Sequence, residues 1–280
     1  MKFAHVILDN ANAIVMQRAS DEWRPIDFAR DMFDVINSTP TELDSAYERS
    51  KPIATSGLRF RAPLSRPGKI LAIGRNYMDH IREENETPPK APLIFAKMTS
   101  SINHPGGIIE WDPTLATAVD FEAELAVVIG ETARNVEPGS ALSHVFGYTC
   151  ANDVTARDLQ KEDGQWTRAK GLDTFCPLGP WIVTADEIPD PQKLAVRSEV
   201  NGTKMQNGTT ADMIFDVKTL ISYASKAFTL QPGDILLTGT PNGVGFYRNP
   251  PVTLKDGDKV VVEVEKIGQL ENTCREARGQ

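Results

Sequence analysis

Val119-Asp120-Phe121-Glu122-Ala123-Glu124-Leu125-Ala126-Val127-Val128-Ile129-Gly130 is the stretch on which the reading of this chain turns. Side chains alternate along a strand. Taken as one strand, it places Val119, Phe121, Ala123, Leu125, Val127 and Ile129 on an apolar face and Asp120, Glu122 and Glu124 on the other. That second face continues as Ala126 and Val128, so it enters the interior. At roughly 3.3 Å of rise per residue, Glu122 and Glu124 stand about 6.6 Å apart at the backbone and point the same way. Adjacent like charges destabilise a sheet, and a cation between them turns that cost into a binding site. A solvated acidic edge is the plainer alternative. The donors are oxygens, and no HExxH or CxxC pattern accompanies them. A hard ion is therefore expected: Mg²⁺ or Mn²⁺, with Ca²⁺ as a substitute, ahead of Zn²⁺.

Working outward, residues 145–151 read as a strand that delivers Asp153, either as a third acid for the same ion or as an ordinary helix N-cap. Lys170 lies in a loop framed by glycine and proline, where it is either a surface lysine or a charge set against a developing enolate. His80 and Glu83 are three residues apart on a short expected helix over 76–85, so they meet on one face. A carboxylate that orients an imidazole raises its basicity and lets it draw a proton from water. A solvated pair is the alternative. The turn Thr238-Gly239-Thr240-Pro241-Asn242-Gly243-Val244-Gly245 lacks the Gly-Lys-Ser/Thr ending of a phosphate loop. Thr240 and nearby amides can still hold a carboxylate there.

Around these segments the pattern predicts a small unit over residues 1–62, with a hairpin across Asn10 and Asn12 and helical patterning near Met32 and from 41 to 49. A proline-punctuated linker follows. Residues 68–280 read as mostly β, with strands over 69–73, 93–97, 181–184, 235–238 and 259–266. An Asn201-Gly202 hairpin and a helix through Val217, Leu220, Ile221, Ala224 and Phe228 complete the pattern. Strands and helices do not alternate regularly, which excludes a doubly wound sheet.

The totals agree. Among 280 residues, 38 acidic against 30 basic side chains give a formal charge of −8. Such a field repels nucleic acid and anionic membrane, and no apolar run approaches the ~18 residues of a membrane span. Three scattered cysteines and the lack of a signal-like start fit a cytoplasmic setting.

In order along the chain, the segment from Gly74 to His80, Phe95-Ala96-Lys97, Asp120-Phe121-Glu122-Ala123-Glu124, Asn152-Asp153-Val154-Thr155-Ala156-Arg157-Asp158, Arg168-Ala169-Lys170-Gly171 and Thr238-Gly239-Thr240-Pro241 resemble the fumarylacetoacetate hydrolase superfamily, in its acylpyruvase and 2-hydroxyhepta-2,4-diene-1,7-dioate isomerase-like branch. The resemblance covers about residues 69–266. It implies an α+β fold, mainly β: a mixed β-sandwich roll behind a small N-terminal α/β domain, assembled as a homodimer. It implies Glu122, Glu124 and Asp153 as metal ligands and Lys170 as a contact to substrate or enolate. His80 and Glu83 become a water-activating dyad on a mobile lid, and Arg75, Tyr77, Arg157, Gln160 and Thr240 become substrate contacts. The expected activity is hydrolysis of a C–C bond in a small anionic 2,4-dioxo acid, such as an acylpyruvate or fumarylpyruvate, through a metal-bound enolate. A decarboxylase, isomerase or hydratase of a 2-oxo or hydroxymuconate-type diacid in aromatic catabolism is the alternative. A non-catalytic ion site is a third possibility, against which the presence of His80, Glu83 and Lys170 argues.

Overall fold

The computed structural model describes residues 1–18 and 22–277. The strand Ala123–Ile129 is buried along its whole length. It lies inside a large mixed sheet between the antiparallel strands Val145–Asn152 and Ile235–Leu237. Beyond Ile235–Leu237 come Ile70–Gly74, paired in parallel, and Leu93–Lys97 at the edge. On the other side Cys176–Thr184 follows, then the hairpin Lys2–Leu8 and Ala11–Gln17, and finally Trp23–Pro25. The first residues of the chain thus extend the same sheet, through pairing of Lys2–Leu8 with Cys176–Thr184.

Each face of the sheet has its own cover. Ala123, Leu125, Val127 and Ile129 pack against Val196, Val262, Val264 and Leu270 of a second sheet and against Val217, Leu220, Ile221 and Ala224 of the helix Val217–Ala227. Ala126 and Val128, the alternate positions, pack with Phe3, Met32, Val35 and Leu43 from the N-terminal elements. The second sheet has five strands, in the order Thr203–Thr209, Ala195–Val200, Lys259–Val264, Gly268–Glu276 and Ile108–Trp111. The fold is therefore α+β and mainly β, as expected.

Several local expectations hold. Asp9 and Asn10 turn the first hairpin with positive φ, and Asn201-Gly202 turn another in the same way. The helix near the histidine spans Met78–Glu83, shorter than expected, and Asn85 with φ of 55° ends the turn after it. Other expectations change. The strand of residues 176–184 begins five residues before Trp181, through a Pro-rich stretch that reads as loop. Ile108–Trp111 and Gly268–Glu276 form a parallel pair between remote segments that sequence reading missed.

The main correction concerns the deciding stretch itself, which is two strands and not one. Val119–Asp120 leaves the large sheet and pairs with Thr155–Ala156. Between the pieces, the Glu122 N–H donates to the Asn152 side chain at 3.0 Å, and the Asp153 N–H donates to the Glu122 carbonyl at 2.9 Å. These bonds replace the regular ladder. They interrupt the strand at Phe121–Glu122, although Asp120 and Glu122 still share Arg157.

Candidate metal and proton-transfer site

The same break brings the acids together. Because the Glu122 carbonyl and the Asp153 amide are bonded, the chain leaving Val145–Asn152 places Asp153 beside the carboxylate strand. One ligand oxygen each from Glu122, Glu124 and Asp153 lies within 4.8 Å of the others, and all three residues are buried. Asp153 caps no helix, since the next one, Arg157–Asp163, has Ala156 at its N-cap.

Cations surround the cluster without filling it. Lys170 Nζ stands 2.9 Å from Asp153 Oδ2 and 3.0 Å from Glu122 Oε2, and donates to the Thr155 hydroxyl at 2.7 Å. Lys97 Nζ reaches Asp153 Oδ1 at 2.5 Å and also bonds the Lys170 carbonyl. Arg157 bridges Asp120 at 2.8 Å and Glu122 at 2.7 Å. These neighbours act unequally on the acids. Against the cost of burial, Lys170 and Arg157 hold the Glu122 carboxyl down to about 2. For Glu124 burial, then Asp153 and Glu122, outweigh the pull of Lys170 and the Gly239 amide and push its carboxyl well above the usual range. A buried carboxylate crowded by two others, all oxygen donors, fits a hard divalent cation.

The glycine-rich turn supplies amides to the protein's own acids. The Gly239 N–H donates to Glu124 at 2.7 Å, the Gly243 N–H to Glu83 at 2.9 Å, and the Gly245 and Phe246 N–H groups to Asp120 at 2.8 and 3.1 Å. Gly239, with φ of +94°, lies so close to the Ile73 carbonyl and Asn76 that a Cβ would crowd them.

Opposite the acids sits His80, only 4 % exposed. Its Nδ1 lies 2.9 Å from Glu83 Oε2, and its Nε2 lies 3.2 Å from Glu84 Oε1. Burial alone would lower its pKa, but Glu83 and Glu84 outweigh burial and hold it up at about 9. With a carboxylate oxygen facing each ring nitrogen, the arrangement favours the protonated ring.

Between histidine and acids lies a chamber of ≈ 20 Å³, lined by His80, Glu84, Glu122, Lys170, Phe95 and Trp166 among others. That is room for about one water molecule. It abuts an outer cavity of ≈ 220 Å³ that shares Arg75, Glu84, Arg157, Gln160 and Trp166. A larger groove of ≈ 680 Å³ runs past Arg59, Arg61 and His104, away from the acids.

The expected substrate contacts divide. Arg75 and Gln160 border both cavities. Arg157 and Thr240 line the chamber but are engaged: Arg157 by Asp120 and Glu122, Thr240 by the Ala123 carbonyl and Gln206 at 2.9 and 2.7 Å. Tyr77 is fully buried at the start of the histidine helix and is not among the residues lining either cavity. Sequence reasoning gave no role to Lys97, Glu84 or Trp166. A signal for Lys97 was present: it falls in phase with Phe95 on the buried side of a strand, where lysine is rare.

A buried triad of carboxylates at the interrupted end of a sheet strand, with lysines behind it and an acid-caged histidine in front, could hold a metal ion. A family model described as fumarylacetoacetate (FAA) hydrolase C-terminal matches residues 69–275. The chain belongs to this family, whose members include hydrolases, isomerases and tautomerases. It is 46% identical over 246 residues to the mitochondrial oxaloacetate tautomerase fahd2 of Xenopus laevis, covering 87% of this chain and 77% of that protein. It is 48% identical over 231 residues to a 2,4-didehydro-3-deoxy-L-rhamnonate hydrolase of Sphingomonas sp. (strain SKA58), covering 82% and 81%. Among solved structures, the fumarylacetoacetate hydrolase EaFAH of psychrophilic Exiguobacterium antarcticum superposes with a TM-score of 0.89 at 39% identity, over 99% of this chain and 100% of that one. No helix among the described residues is long and apolar enough to cross a membrane.

Proposed function

We propose that this chain is a divalent-metal-dependent enzyme that moves a proton on a small anionic 2-oxo diacid, interconverting its enol and keto forms. The observation that carries this reading is His80. Buried between two carboxylates, with a pKa of about 9, it holds a proton at neutral pH and offers no lone pair to water. A general base must be able to take a proton; this ring is set to give one.

Glu122, Glu124 and Asp153 would hold Mg²⁺ or Mn²⁺. When bound, the ion would supply Lewis-acid charge that makes the carbon beside the 2-oxo group acidic. Lys170, already positive against Glu122 and Asp153, adds charge on the same side of the chamber. Arg75 and Gln160, at the junction of the two cavities, are placed to meet the far carboxylate of a diacid. Phe95 and Trp166, whose rings lie 5.4 Å apart, wall the chamber with apolar surface and keep bulk water from the carbanion side. The likeness to an oxaloacetate tautomerase supports a four-carbon diacid.

Cleavage of a C–C bond in an acylpyruvate or fumarylpyruvate is the second reading, and the likeness to the rhamnonate-derived hydrolase favours it. It requires His80 to lose its proton. The discriminating experiment follows enol loss from oxaloacetate by ultraviolet absorbance and pyruvate release from acylpyruvates by a coupled assay, each with EDTA and with Mg²⁺ or Mn²⁺. Metal-dependent enol loss without pyruvate release is expected. Fast pyruvate release, with enol loss no faster than in buffer, would replace the first reading by the second.

A further inference from the structure

We propose that Glu84 is a positioning residue that fixes His80 in its doubly protonated form, so that the site delivers a proton to substrate instead of taking one from water. This rests on the proton-transfer reading above and names the side chain that sets its direction.

The argument is geometric. A neutral imidazole has one N–H donor and one bare nitrogen lone pair. Here both nitrogens face carboxylate oxygens, Glu83 at 2.9 Å and Glu84 at 3.2 Å. A neutral ring would press one lone pair against an anion in a buried place, whereas a protonated ring satisfies both sides. Each carboxylate is also pinned from behind. The other oxygen of Glu83 accepts from the Gly243 N–H at 2.9 Å, and that of Glu84 meets Arg75 Nε at 2.8 Å. Neither acid can swing away without losing a second partner.

The remaining charged or titratable groups around His80 pull both ways: Arg75, Arg157 and Lys170 line the same chamber and oppose a positive ring, while the nearby carboxylates favour it. Glu122 faces it from the carboxylate strand, and Asp79 lies beside it on its own helix. The Tyr247 ring stands 5.9 Å away, from the segment after the glycine-rich turn. Glu83 does not line the chamber, but Glu84 and His80 do. The Nε2–H on the Glu84 side is therefore the one within reach of a guest.

The step balances. The Nε2–H bond breaks, and its proton bonds to the carbon beside the 2-oxo group using the enol π pair. The enol O–H pair closes the C=O bond, and the released proton passes to solvent, from which the imidazole is reprotonated. Glu83 alone would leave Nε2 free to exist as a lone pair. Glu84 is thus what separates a proton donor from a water-activating base on the same scaffold.

The test uses the full chain loaded with Mg²⁺ and labelled in its four histidines. Nitrogen chemical shifts report each ring's protonation without reference to activity. In the parent protein before Mg²⁺ is added, His80 is expected to titrate near 9. In Glu84→Gln its titration should fall by about one unit or more, and the alkaline edge of enol-to-keto turnover should move down with it. Acylpyruvate cleavage should rise at the same time, and Glu84→Asp should restore the parent titration. A bare Nε2 in the parent protein at about pH 7.5, or an unshifted His80 in Glu84→Gln, overturns the proposal. If Glu84→Gln does not fold, the parent titration and Glu84→Asp still decide it. A protonated His80 in a protein that turns over neither substrate class would sink the proposed function and leave the role of Glu84 standing.

Discussion

Two charged regions face each other across the chamber and solve opposite problems. In the acid cluster, three carboxylates crowd one point and cations stand behind them, with Glu124 the least compensated. In the histidine cage, one cation sits between two carboxylates and every charge has a partner. The cage is complete within the chain. An ion bound at the cluster would therefore be expected to change its stability more than that of the cage.

The sharpest way to break this contrast is Asp153→Ala. It leaves Lys97 and Lys170 buried without their shared carboxylate. Losing one partner of a buried pair costs about 3–5 kcal/mol, so urea unfolding should show a loss of at least that order, and Mg²⁺ should no longer protect. Next in size is the metal itself. Saturation at about 100 times Kd should stabilise the parent protein by roughly 2.7 kcal/mol, read as a rise in Tm that EDTA reverses. Glu124→Gln should abolish that rise, while an equal rise in the variant would remove Glu124 from the site. Gly239→Ala places a Cβ against Asn76 at a positive φ and loosens the amide bond to Glu124. A cost of about 1–3 kcal/mol with weaker metal protection is expected, and His80 titration should stay unchanged if the two regions are independent.

A further effect concerns the cage and pH. The folded value for His80, about 9, lies above its ordinary 6.5. Its charge therefore stabilises the fold fully below about 6.5, and that contribution is lost as pH rises through about 9. The stability difference between the parent protein and His80→Gln should shrink across that window. A difference that grows with pH would contradict the cage.

The acid cluster was legible in the sequence because its residues carry short-range signals. Glu122 and Glu124 share a strand phase, and Asp153 follows a recognisable strand. The hairpins at Asp9-Asn10 and Asn201-Gly202 and the helix Val217–Ala227 were legible for the same reason, since turn chemistry and a 3.6-residue period are local. What escaped depends on distance. The break at Phe121–Glu122 comes from bonds to Asn152 and Asp153, some thirty residues away, and no propensity of the stretch announces it. The parallel pairing of Ile108–Trp111 with Gly268–Glu276 joins segments far apart in the chain. Glu84 looks like one more surface acid at the end of a helix until Arg75, His80 and the chamber are in place around it. The glycine-rich turn was read as able to hold a carboxylate, and its amides do hold carboxylates, but these belong to Glu124, Glu83 and Asp120.

The chamber between the two regions admits about one water molecule, yet any diacid is several times larger. A diacid that reaches in from the outer cavity is therefore expected to displace part of the lining formed by His80, Glu84, Gln160 and Trp166. The pace of that breathing places a ceiling on the catalytic rate however fast the proton moves. Added viscogen should slow a fast substrate more than a sluggish one.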